Sequence, residues 1–283
     1  MIYKSNYLET KDGLKLHTHH WTVPDPKATI IFTHGYCEHA GRYNSEAEYF
    51  NEFGFDFHSF DQRHHGQSDG EPRSYILEFE NHISDLEIYI DKWKRTDIPL
   101  FLMAHSMGGL VLISYLIERN PLLTQLRGVI LSAPFLKPDK NTAPILQKLS
   151  SVVGTLFPKL KTVDIDATAI SRDENEIKKY VNDPLNYNGK IHARSGYQLL
   201  KQMANVKNKF DKIEQSLLIM HGTNDKLAEL EGSEALFKLC SSTDKEFIKL
   251  EGFKHEITRD IDFHIVRNKM QSWISERLNN NVA

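Results

Sequence analysis

The chain has 283 residues, 40% of them hydrophobic, and a formal net charge of −3. This is enough for one large α/β domain with an insertion, and the weak charge without a long basic run excludes nucleic acid as an expected partner. No apolar stretch reaches membrane-span length and MIYKSNYLETKDG has no apolar leader segment, so a cytoplasmic protein is expected, at most peripheral to a membrane.

In chain order, residues 6–22 (NYLETKDGLKLHTHHWT) read as two strands around a Lys-Asp-Gly turn, an antiparallel edge. ATIIFTHG (28–35) is a strand ending in glycine, and residues 54–70 are a strand running into a polar loop. Residues 83–95 have helical spacing, 99–106 (PLFLMAHS) are a strand, and LVLISYLIERN is a helix. Residues 126–134, 215–225 and 245–252 repeat the strand pattern, with a helical segment at 231–240. Alternating strands and helices predict one mostly parallel sheet. The rhythm breaks between 136 and 209, where Ile145, Leu146, Leu149, Val152, Val153, Leu156, Phe157 and Leu160 form a wide apolar stripe at helical spacing. An inserted helical cap at 136–209 is therefore expected, between core segments 1–135 and 210–283.

In an open parallel sheet, ligands gather at the carboxyl ends of the strands. Ser106 ends one strand and Asp225 another, and His255 follows the last. A serine hydroxyl needs a base to become a nucleophile, and a carboxylate fixes the histidine tautomer and steadies the imidazolium. The order Ser…Asp…His is that of an α/β-hydrolase triad. Ser106 alone also reads as a helix N-cap; the other two strand ends favour the nucleophile. Of the 14 histidines, His255 is placed as the base over His264 on the terminal helix, with His34 and His105 assigned to packing. Asp225 is preferred over Asp211 and Asp244, which lie outside strand ends. An oxyanion hole is expected from the backbone amides of Met107, after the nucleophile, and Tyr36, after the His-Gly strand. No cluster with metal-ligand spacing stands out, so neither metal nor cofactor is expected. Cys37 and Cys240 form no disulfide framework and are expected as reduced thiols, with Cys37 read as a reactive handle at the mouth of the site and, as the competing reading, as buried and inert.

With these residues in place, the chain resembles the monoacylglycerol lipase and lysophospholipase group of α/β-hydrolases. HGYCEHAGRY (34–43) is similar to that group's H-G-x-G-E-H-x-G-R-Y, FDQRHHGQSDG to D-x-R-G-H-G-x-S-x-G, AHSMGG to G-H-S-M-G-G, and HGTNDKL to its strand-end acid motif. SRDENEIKKYVNDPL (171–185) is similar to a stretch of the group's cap. The resemblance implies that Glu38 and Arg42 shape the pocket near the oxyanion loop, although they also read as a structural ion pair, and that Tyr180 approaches the polar end of the substrate. Three positions depart from the pattern. Ala104, Cys37 and His64 stand where the group has glycine, and a positive φ at the latter two would cost strain.

The expected activity is hydrolysis of a carboxylic ester through an acyl-enzyme, with a monoacylglycerol as substrate. A lysophospholipase, a proline-type serine aminopeptidase and a non-enzymatic hydrolase-like binding protein are the alternatives. The cap stripe is expected to line an acyl tunnel, to touch a membrane surface transiently, or to pack inside the cap. Chain length, head group and oligomeric state are not legible.

Overall fold

The computed structural model describes the backbone of residues 1–138 and 144–279, with side chains for all of these except 144–149 and 279. Eight strands form one sheet: β1 (Ile2–Glu9), β2 (Lys15–Thr22), β3 (Ala28–Thr33), β4 (Phe55–Phe60), β5 (Leu100–His105), β6 (Leu126–Ser132), β7 (Leu217–Gly222) and β8 (Lys245–Leu250). Their spatial order is β1-β2-β4-β3-β5-β6-β7-β8. β1 and β2 pair antiparallel, as do β2 and β4; every other pairing is parallel. This is the α/β-hydrolase arrangement expected, with its antiparallel edge at the N-terminus.

Strands covered on both faces read as unbroken apolar runs, and β3, β5 and β7 are buried along their whole length. Side chains alternate between the two faces. Ile31, Leu102 and Leu131 meet helices α2 (Phe79–Trp93) and α3 (Met107–Arg119). Ile30, Phe101 and Ile130 meet α1 (Asn44–Glu52) and Trp273 of the C-terminal helix (Phe263–Asn279). α3 begins directly after Ser106, three residues earlier than the periodicity suggests, because small glycines rather than apolar residues make its first turn.

Between β6 and β7 the chain leaves the sheet and forms α4 (Pro144–Leu156), α5 (Glu174–Asn182) and α6 (Ala193–Lys207). Asp173 caps α5 by accepting from the Asn175 amide at 2.8 Å, with Glu174 and Glu176 in the first turn. The segment after α4 is tied to the start of α6 through the Ala193 amide, which donates to Leu160 O at 2.7 Å. After α7 (Leu230–Leu239) the chain closes with α8 (Phe263–Asn279). Among the described residues, no helix is long and apolar enough to cross a membrane.

Candidate active site

The turn between β5 and α3 puts Ser106 at φ 52°, ψ −120°, a left-handed conformation that an L-residue holds only when its surroundings enforce it. Gly108 is part of that enforcement. A Cβ there would lie 2.2 Å from Thr33 O and 2.5 Å from His34 O, so only glycine lets α3 start this close to β3. Ala104 is completely buried in the core, so its methyl is accommodated without opening the turn. Ser106 occupies the N-cap position of α3, yet its side chain makes no cap hydrogen bond. Its Oγ instead lies 2.8 Å from His255 Nε2.

His255, on the loop after β8, presents Nδ1 to Asp225 Oδ2 at 2.6 Å. The other carboxylate oxygen of Asp225 accepts from the Leu227 and Ala228 amides at 2.8 and 3.0 Å, which fixes the carboxylate plane. His221 Nε2 stands 3.2 Å from Asp225 Oδ2. Burial alone would raise the Asp225 pKa; His255 and His221 outweigh it and hold the carboxyl well below its usual range. Burial alone would lower the pKa of His255, but Asp225, then Glu256 and Glu38, outweigh it and raise it above 6.5. The chain thus places a hydroxyl, an imidazole and an ionised carboxylate in line, an arrangement able to move a proton from Ser106 to His255.

The remaining candidates fall into distinct places. His264 is exposed on α8, and Asp211 and Asp244 lie at the surface. His34 takes the Gln62 amide on Nε2 at 2.9 Å. His105 lies closer to the site than a packing role implies, with its ring 4.8 Å from that of His255; burial, then His255, lowers its pKa to about 4, so it stays neutral. Met107 opens α3, so its amide is among those the helix leaves without an internal partner. Tyr36 follows Gly35 just beyond β3, and both line the same cavity as Ser106.

Glu38 and Arg42 are joined in a buried network. Glu38 Oε1 accepts from the Gly35 amide at 2.6 Å and from the Tyr43 hydroxyl at 2.8 Å, while Oε2 accepts from Arg42 Nη1 at 2.6 Å. Arg42 also grips Glu256, the residue after His255, with two bonds of 2.7 and 2.8 Å. Burial raises the pKa of each acid, but Arg42 together with His105, His34 and Arg259 outweighs it at Glu38, and Arg42 with Arg259 outweighs it at Glu256, so both stay ionised. Glu256 is the member that sequence reasoning missed; its place beside His255 was visible, but its partner lies 214 residues away. Tyr180 is the buried residue of α5; its hydroxyl donates to Cys37 O at 3.3 Å, and the Arg42 guanidinium lies 4.8 Å from its ring centroid.

Cys37 and His64 both sit at φ 64°, so the two departures from glycine fall in the left-handed region. Cys37 does not present a reactive thiol at the mouth of the site. It is 1% exposed, and burial pushes its thiol pKa far up, which removes the thiolate.

A cavity of about 120 Å³ opens over Ser106 and His255, lined also by Ile165, Ile170 and Leu227. Phe135, Ile191 and Leu199 are shared with a second, apolar cavity of about 260 Å³ that Val153 and Met203 also line. The predicted cap stripe divides here. Val153 faces this second cavity, whereas Val152, Leu156, Phe157 and Leu160 are 53, 66, 61 and 52% exposed. These four therefore do not pack inside the insertion. The side chains of Ile145, Leu146 and Leu149 lie outside the described residues.

One group among the described residues has the donor set of a metal site, His17, His19 and Asp61. It sits on β2 and the loop just after β4, and shares no residue with the Ser106 cavity. Sequence reading did not single it out.

Comparison with known proteins agrees with this geometry. The family described as serine aminopeptidase, S33, matches residues 24–262. The chain is 30% identical to a monoglyceride lipase of Mus musculus, across 96% of this chain and 90% of that one. It is 29% identical to a monoacylglycerol lipase of Mycolicibacterium smegmatis, across 91% and 92%. The crystal structure of a monoacylglycerol lipase from Paleococcus ferrophilus superposes with a TM-score of 0.83 at 27% identity, covering 93% of this chain and 99% of that one.

Proposed function

The chain belongs to the serine aminopeptidase S33 family of α/β-hydrolases, and from that premise we propose that it hydrolyses monoacylglycerols to fatty acid and glycerol, with Ser106 as nucleophile. The observation that carries this reading is the Ser106–His255–Asp225 line opening into an apolar cavity that shares Phe135, Ile191 and Leu199 with a second apolar cavity.

His255 Nε2 takes the Ser106 proton as Oγ bonds to the ester carbonyl carbon. The resulting oxyanion is met by the amides of Tyr36 and Met107. When the tetrahedral intermediate collapses, the carbon–oxygen bond to glycerol breaks and His255 returns the proton to the leaving alkoxide. A water then gives its proton to His255 and attacks the acyl-enzyme, which releases the fatty acid and restores Ser106. The acyl chain runs past Leu199 into the second cavity, and the glycerol end lies toward Tyr180. The Arg42 bridge acts on this reaction from behind, by fixing Glu38 under the oxyanion loop and Glu256 beside His255.

The segment 136–209 serves as the cap. Its exposed row of Val152, Leu156, Phe157 and Leu160, with Val163, suits transient docking on a lipid surface from which the substrate is drawn. An aminopeptidase would need a free acid for the substrate amine. The acids lining the cavity, Glu38 and Glu256, are both bonded to Arg42, so the ester reading is favoured.

The test is a turnover comparison of monoacylglycerols, lysophosphatidylcholine and aminoacyl amides. Monoacylglycerols are expected to give the highest kcat/KM, and a preference for the amides would overturn the proposal.

A further inference from the structure

His17 and His19 lie two residues apart on β2, so their side chains leave the same face of the strand. Antiparallel pairing sets His19 opposite Ser59 and Thr18 opposite Phe60, and the Asp61 amide then donates to His17 O at 2.8 Å. The Asp61 side chain is thereby brought beside both imidazoles. His17 Nδ1 stands 3.5 Å from Asp61 Oδ2, and His19 Nε2 stands 3.3 Å from Asp61 Oδ1. The ligand atoms all lie within 4.8 Å of one another.

Three features distinguish this group from an ordinary buried ion pair. First, His17 and His19 are 6% and 3% exposed, yet neither His17 Nδ1 nor His19 Nε2 has a hydrogen-bond partner among the described residues. Both nitrogens face the Asp61 carboxylate at ion-pair distance, 3.5 and 3.3 Å. Second, the two imidazole–carboxylate distances, 3.5 and 3.3 Å, suit a cation. Bonds of about 2.0–2.2 Å to a tetrahedral zinc imply edges of about 3.3–3.6 Å between neighbouring ligand atoms. Third, the donors are held from behind. Asp61 Oδ1 and Oδ2 each accept one backbone amide, from Ala40 and Gln67, both at 2.8 Å, which leaves each oxygen a lone pair. His19 Nδ1 is bonded to the Tyr3 hydroxyl at 2.9 Å, the outer contact that orients a ligating histidine. Gly66, at φ +50°, lets the following loop close over the carboxylate, where a Cβ would lie 2.2 Å from Oδ2.

We propose that His17 Nδ1, His19 Nε2 and the Asp61 carboxylate form a binding site for a divalent transition-metal ion, zinc being the best match to two imidazoles and one carboxylate. The ion clasps the N-terminal hairpin to the loop after β4. Through the Ala40 amide on Asp61, it also braces the segment that follows Glu38. It takes no part in the chemistry at Ser106.

The test uses the full chain stripped with a chelator and then titrated with zinc, with bound metal counted by mass spectrometry and affinity read by calorimetry. Cobalt in place of zinc reports ligand geometry through its visible absorption. The wild type is expected to bind one zinc per chain, to gain thermal stability on binding, and to give the intense absorption of four-coordinate cobalt. His17→Gln with His19→Gln is expected to weaken binding at least 100-fold and to lose both signals. Should the double variant not fold, as judged by circular dichroism, His17→Gln alone is expected to weaken binding at least 10-fold. Zinc binding that is equal in wild type and variant, or absent from the wild type, would overturn the site and leave a histidine–carboxylate cluster held by protons alone.

Discussion

His255 Nε2 lies 2.8 Å from Ser106 Oγ although 149 residues separate them in the chain. The contact exists because β5 and β8 end at the same edge of one parallel sheet. Its consequences can be measured.

The first concerns pH. His255 must be neutral to accept the Ser106 proton, and its pKa is raised above 6.5, chiefly by Asp225 acting against burial. The neutral fraction grows as pH rises through that pKa, so the acid limb of kcat/KM should fall above pH 6.5. In Asp225→Asn the raising charge is gone. Residual turnover is expected to drop by about 10⁴, with its acid limb moved to lower pH. An unmoved limb would show that another group titrates.

Arg42 joins two buried carboxylates, so Arg42→Gln leaves both without their partner. Breaking a buried pair from one side costs about 3–5 kcal/mol. Urea denaturation should show a loss of that size, and Glu38→Gln, which keeps the Arg42–Glu256 pair, should lose less.

Val152 and Leu156 face outward, so Val152→Ser with Leu156→Ser should weaken turnover of long-chain monoacylglycerol in vesicles more than turnover of a dissolved short-chain ester. Leu199→Phe should do the reverse work inside, adding bulk at a wall the two cavities share and lowering kcat/KM for long chains in any physical state. Equal losses on every substrate would mean that each change had only loosened the insertion.

Both cysteines are buried. A thiol reagent is expected to find almost none reactive in the native protein and both after denaturation. Rapid native labelling of Cys37 would contradict its placement beneath Tyr180.

Much of this was legible in the sequence because strand ends are local. Ser106, Asp225 and His255 each follow a short apolar run, and the parallel sheet brings such ends together by topology alone. What escaped depends on partners far apart in the chain. Glu256 gains meaning only through Arg42, and Asp61 approaches His17 and His19 only once β2 pairs with β4. The His-x-His alternation on one strand face was a usable signal for that cluster. The division of the cap stripe was not legible, since helical spacing marks an apolar side without saying whether a cavity or solvent lies beyond it.

The central claim is that ester hydrolysis passes through Ser106, and an active-site titration tests it most directly. The enzyme is treated with a fluorophosphonate bearing an alkyl chain, while monoacylglycerol turnover and the modified peptide are followed together. One adduct per chain is expected on Ser106, with turnover falling in proportion to it and no adduct in Ser106→Ala. Turnover that survives full modification of Ser106, or a stoichiometric adduct on another residue, would contradict the account.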